Sequence, residues 1–258
     1  PFDDNDGDGI WDSGNPSNNT YQYQGYAISG DGTDDNITVP EDVFELQIFT
    51  MSAWVNIKDT NQNPIFGNAN SQLYYGYHFR VNADTPNVSF SSTTFNGAAL
   101  DKVESTTTLN TDEWHHVAVT LSGSQIDMYV DGVLEGSDTS QQTLVYDTTM
   151  YPMIGEDTVR SGYEDNFNGQ ISDFRIYNTS LNSSQIEQIY NASFEDQTNL
   201  IAQWKLDDAT GTSAADSSTQ VNDGTLNGGP VWFNPDVNIG ALTMPATGIY
   251  HATSGTTT

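Results

Sequence analysis

Trp114-His-His-Val-Ala-Val-Thr-Leu121, a Ser122-Gly123-Ser124 break, Ile126-Asp-Met-Tyr-Val130 and the pair Asp131-Gly132 make up the stretch on which the fold turns. Val117, Val119 and Leu121 share one side of an extended chain, with Ala118 and Thr120 on the other. Ile126, Met128 and Val130 repeat that period of two beyond the break. The pattern predicts a hairpin with one buried face. Asp131 and Gly132 both tolerate positive φ, so a second tight turn leads into Val133-Leu134 and the unit becomes a meander.

Outward from this hairpin, strand-like runs alternate with Gly, Asn, Asp and Ser clusters between residues 21 and 177, the rhythm of an antiparallel sandwich. A single segment reads as a helix. Ser183 or Ser184 can cap it, Glu187 follows Ser184 at capping-box spacing, and Ile186, Ile189 and Tyr190 form an apolar stripe. Met51-Ser-Ala-Trp-Val-Asn-Ile57 upstream and Phe167-Asn-Gly-Gln-Ile-Ser-Asp-Phe-Arg-Ile-Tyr177 downstream stand in order with "AISGDGTDDNITVP" from Ala27, "YVDG" from Tyr129 and "IGED" from Ile154. Taken together, these segments resemble the LamG-like jelly-roll family, the laminin-G and concanavalin A-type folds. The resemblance implies an all-β, two-sheet antiparallel β-sandwich (jelly roll) with one short helix after the last core strand.

Charge narrows the partners. Thirty-five acidic residues face six Lys and Arg, a formal net charge of −29 that repels phosphate backbones and anionic lipid surfaces. Nucleic acid is therefore excluded, and cations are the natural complement. The sequence has no cysteine and no run of about 18 apolar residues, so neither disulfides nor membrane insertion are expected. Aromatic residues make up 11% of the chain and must supply much of the buried area.

The strongest ligand motif is Asp4-x-Asp6-x-Asp8-Gly9-x-x-Asp12. Alternate carboxylates, a glycine for the sharp turn, the Ile10 carbonyl and a later carboxylate suit a hard cation with six to eight oxygen ligands, and Ca²⁺ is the expected metal. Ser13-Gly-Asn-Pro-Ser-Asn-Asn19 forbids the helix that an EF-hand or dockerin needs, so the motif resembles a thrombospondin type 3 repeat. Residues 1–20 then form an acidic calcium-binding loop or linker, or a merely flexible one. A second calcium site is implied by the family resemblance alone, at Asp31, Gly32 and Asp173, with Asp34 as a further ligand. The competing account is an ordinary Asp-rich turn at 31–35 and a solvated edge position at Asp173.

Adjacent strand residues point to opposite faces, so His115 and His116 cannot chelate one ion and read as structural. His78 and His251 stand apart from any carboxylate pattern. Glucanases on this fold carry Glu-x-Asp-x-x-Glu on one strand; the sequence lacks it, and Glu41-Asp-Val-Phe-Glu45 has the wrong spacing. No enzymatic activity is expected. Leu73-Tyr-Tyr-Gly-Tyr-His-Phe79 offers Tyr74, Tyr75 and Tyr77 as candidate ligand-binding rings, although alternation requires one set of them to be core.

Leu200-Ile-Ala-Gln-Trp-Lys-Leu206, Asn222-Asp-Gly-Thr-Leu226 and Ile239-Gly-Ala-Leu-Thr243 resemble the start of a LamG-like domain, yet follow its end. Within a jelly roll spanning 21–245, residues 200–245 either complete the sandwich in permuted order or begin a next repeat. They could also pair with a neighbouring chain, which would build a head-to-tail filament. Residues 246–258 are a Thr/Gly-rich tail. The resemblance implies an extracellular or cell-surface module that binds carbohydrate or another extracellular protein in adhesion. The alternative is a structural subunit of a surface filament or layer, with a second copy as partner.

Overall fold

The computed structural model describes residues 26–68, 76–92, 102–139, 144, 146, 151–157, 165–194 and 196–233. The acidic motif with Asp4, Asp6, Asp8, Ile10 and Asp12, the rings of Tyr74 and Tyr75, and residues 234–258 lie outside them. In chain order the strands are β1 (Ala27–Asp31), β2 (Asn36–Thr38), β3 (Phe49–Ile57), β4 (Asn63–Gly67), β5 (Tyr77–Val81), β6 (Asn87–Ser92), β7 (Lys102–Thr108), β8 (His115–Leu121) and β9 (Ile126–Val130). There follow β10 (Val133–Asp138), β11 (Met153–Ile154), β12 (Glu156–Asp157), β13 (Asp165–Asn166), β14 (Asn168–Tyr177), helix α1 (Ser183–Tyr190), β15 (Leu200–Trp204), β16 (Ser213–Ala214), β17 (Gly224–Asn227) and β18 (Val231–Phe233).

Two antiparallel sheets face each other as a sandwich. The first runs β10-β9-β8-β3-β14-β1-β18, with β15 also on β14, and the second runs β16-β17-β2-β11-β4-β5-β6-β7. The predicted meander is β8-β9-β10, with Val117 opposite Val130 and Leu121 opposite Ile126. Its second turn has φ of 50° at Asp131 and 78° at Gly132, the conformation that Asp-Gly was expected to supply. Between the sheets lies a continuous run of rings. Phe44 stacks on Phe66 at 4.2 Å, Phe66 meets Phe174 at 5.7 Å, and Phe174 meets Trp204 at 6.0 Å. At Gly136 a Cβ would sit 2.3 Å from the Glu104 carbonyl, so the bare backbone is what lets β10 close against β7.

Three expectations change. Ala118 and Thr120 are buried along with Val117 and Val119, because α1 covers the outer face of the first sheet with Ile186, Ile189 and Tyr190. The hairpin thus has two buried faces. The cap of α1 is Asn182 in a reciprocal capping box with Gln185, one residue before the first of the two serines predicted. Tyr77 is fully buried, stacked on Phe49 at 5.3 Å, so its ring belongs to the core and is not available to a ligand.

Residues 200–233 pair inside the chain. β15 lies along β14, β17 along β2 and β18 along β1. β1 and β15 share one edge of β14, divided where Asp173 adopts φ of 44° in a bulge opposite β3. Ser172 Oγ ties the junction by hydrogen bonds to the carbonyls of Tyr26 and Lys205.

Candidate functional site

The β1–β2 turn gathers three carboxylates. Gly32, at φ of 78°, makes the reversal, and the Asp31 Oδ1 accepts the Thr33 amide while Asp35 Oδ2 accepts the Asp31 amide at 2.9 Å. Carboxylate oxygens of Asp31, Asp34 and Asp35 lie within 4.8 Å of one another. Ligand bonds to calcium are about 2.3–2.6 Å long, so one ion could touch all three. Burial raises the pKa of Asp35, and the charges of Asp31 and Asp34 add to the rise. A bound cation would relieve both. The C-terminal segment braces the turn from outside, since Asn227 pairs with Asn36 and its amide donates to Asn36 Oδ1 at 2.9 Å.

Asp173 does not join this group. Asp31 pairs with Asn168, and Asp173 lies about halfway along β14, roughly 16 Å up the strand. There Arg175 Nη2 donates to its Oδ2 at 2.6 Å and Gln203 donates to its Oδ1 at 2.7 Å. Its lone pairs are taken by a guanidinium, not offered to an ion. Asp35, which the sequence reading left as a turn residue, stands in its place.

A second polar group lies on the outer face of the second sheet. His78, Ser91 and Lys102 form one cross-strand row, and Arg80, Ser89 and Glu104 the next. β12 crosses this face above Gly67, where a Cβ would stand 2.5 Å from the Glu156 carbonyl and 3.2 Å from Asp157 Oδ1. Only glycine admits that crossing, which seats the fully buried Asp157 against His78 at 2.6 Å, Oδ1 to Nδ1. Arg80 stands 3.5 Å from the other Asp157 oxygen, close enough for attraction but too far for a good hydrogen bond. Burial, then the Asp157 charge, raises the pKa of Asp165. Glu156 links the two polar groups by accepting from Asn36 and Asn166.

His115 and His116 diverge as expected. His115 Nδ1 lies 2.9 Å from the Asp131 carboxylate, whereas His116 is buried beneath Tyr190 beside Trp54. Burial, reinforced by the Arg175 charge, lowers the pKa of His116 from 6.5 to about 4. As pH falls from 6.5 to about 4, the unfolded chain therefore binds a proton at His116 that the folded chain refuses, and stability present above 6.5 is lost. That loss is about 3 kcal/mol by the end of the window. Urea midpoints measured across this range should fall less steeply in His116→Phe than in the parent.

A profile of the Laminin_G_3 family, described as Concanavalin A-like lectin/glucanases superfamily, matches residues 31–187. Adhesion G-protein coupled receptor V1 of Danio rerio is 29% identical over 149 residues, 55% of this chain and 2% of the receptor. The chain thus spans a small fraction of that relative's length. A proposed carbohydrate-binding protein of Bacteroides ovatus ATCC 8483 superposes with a TM-score of 0.63 at 22% identity, covering 81% of this chain and 59% of that one. A heptameric SAP-like pentraxin of Limulus polyphemus gives 0.52 at 13%, covering 81% and 94%. Domain 4 of AbnA, an extracellular GH43 arabinanase of Geobacillus stearothermophilus in complex with arabinotriose, gives 0.52 at 19%, covering 64% and 76%. At such identities the structural likeness establishes the fold.

Proposed function

Because the chain belongs to the Laminin_G_3 family of concanavalin A-like jelly rolls, we propose that it is a non-catalytic module that binds carbohydrate or an extracellular protein at the surface of a cell or a secreted assembly. Calcium is its structural ion. The observation that carries the calcium assignment is the convergence of Asp31, Asp34 and Asp35 within 4.8 Å, beside a glycine turn. Aspartates at such spacing repel one another and gain most from a doubly charged, oxygen-seeking partner. The binding role is supported by what the similar proteins are described as doing, including the Bacteroides protein and the arabinotriose complex. No helix among the described residues is long and apolar enough to cross a membrane.

Calcium titration tests this reading. The melting temperature is expected to rise by several degrees with millimolar Ca²⁺, to return with EDTA, and to be indifferent to Ca²⁺ in Asp31→Asn/Asp34→Asn. In a variant lacking residues 1–25, which removes the N-terminal acidic motif, the response should persist. A melting curve that ignores both calcium and chelator in every form would refute the assignment.

A further inference from the structure

His78 has one nitrogen committed and one free. Its Nδ1 is pinned by Asp157 at 2.6 Å, and among the described residues Nε2 has no hydrogen-bond partner. A carboxylate on one imidazole nitrogen holds the N–H there and leaves the other as a lone-pair acceptor. The Ser91 hydroxyl, directly across the β5–β6 ladder, likewise has no hydrogen-bond partner among the described residues, and both residues keep a small exposed surface, 6% and 7%. Arg80 adds an Nε–H that is buried without a partner. Acceptor, hydroxyl and donor thus stand together on one sheet face, and no hydrogen bond among the described residues uses them.

A metal reading fails on donors, because among the described residues no His, Asp or Glu set except Asp31, Asp34 and Asp35 converges. A nucleophile reading has no support at this pair: Ser91 Oγ is not hydrogen-bonded to His78, so His78 does not activate that hydroxyl. The charges decide between the remaining ligands. Arg80 faces Asp157, with Glu156 and Asp165 close by, while Lys102 is spent on Glu104 at 2.7 Å. The surroundings are net negative, which opposes a sugar carboxylate.

We propose that His78, oriented by Asp157 and flanked by Ser91 and Arg80, accepts a hydrogen bond from a hydroxyl of an uncharged glycan on the outer face of the second sheet. This rests on the reading that the module binds carbohydrate.

The test is calorimetric titration of the calcium-loaded protein with lactose, mannobiose and arabinotriose, and with 3′-sialyllactose as the acidic comparison. His78→Asn retains a donor for Asp157 while deleting Nε2, and is expected to weaken binding of the preferred neutral sugar about tenfold at unchanged melting temperature. Long-range proton–nitrogen spectra of the parent protein should show the Nδ1–H tautomer and an Nε2 resonance that moves on ligand addition, a readout independent of any variant. Undiminished binding by His78→Asn with a stationary Nε2 resonance would overturn the proposal and leave the carbohydrate-binding reading standing. Preference for 3′-sialyllactose would overturn it too. Binding of none of these sugars would overturn both.

Discussion

Replacing Trp204 with alanine is expected to remove about 3–5 kcal/mol of stability, measurable as a lower urea midpoint at nearly constant m-value. Trp204 is fully buried, stacks parallel to Phe44 at 6.2 Å and meets Phe174 at 6.0 Å. Its Nε1–H donates to the Asn222 carbonyl at 2.9 Å. Truncation would leave a ring-sized void between the sheets and also release the 216–223 loop that the indole anchors. The loss should therefore appear in amide exchange of residues 216–223 as well as in the global transition. Were residues 200–204 merely draped over the sandwich, the cost would be below about 1 kcal/mol.

Asp173→Ala is expected to be as damaging, at about 3–5 kcal/mol, by a different route. The side chains of Asp173 and Arg175 are 15% and 13% exposed, and each holds the other's charge. Burial alone would raise the Asp173 pKa, but Arg175 offsets it and the net shift is downward. Burial likewise opposes the charge on Arg175, and Asp173 reverses that, raising its pKa. Removing the acid strands a guanidinium in the fold. The cost comes from that orphaned charge more than from the lost attraction, so Asp173→Leu with Arg175→Met should recover most of it in a double-mutant cycle. By the same linkage, the Asp173 contribution is complete above the ordinary aspartate pKa and fades as pH falls through the lowered one. Lys58–Asp112 is as short, at 2.6 Å, but with side chains 41% and 69% exposed its removal should be nearly silent.

How legible these features were depends on how far apart their parts lie in the chain. The meander could be read because strands, turn residues and alternation all fall within twenty positions, and each reports the same geometry. The covering of its second face could not, since that depends on a helix near residue 186 folding back onto Ala118. The C-terminal strands were recognisable as strands, but their slots beside β14, β2 and β1 depend on which edges those strands leave open, a property of the assembled sheet. Among the site residues, Asp31, Gly32 and Asp34 were expected from the family resemblance, and they lie together because they belong to one local turn. Asp173 was assigned by likeness to relatives, and the neighbour two residues on, Arg175, takes its oxygens instead. The His78–Asp157 contact joins positions 79 apart and needs Gly67 to make room for it. Neither partner carries a local signal, and the sequence reading left His78 isolated for that reason.

The pairing of Ala27 with Phe233 has a mechanical corollary. The described span begins and ends at one corner of the sandwich, on neighbouring antiparallel strands. Tension applied between Tyr26 and Phe233 would load that ladder from its end and part the rungs singly, like a zipper, instead of shearing them all together.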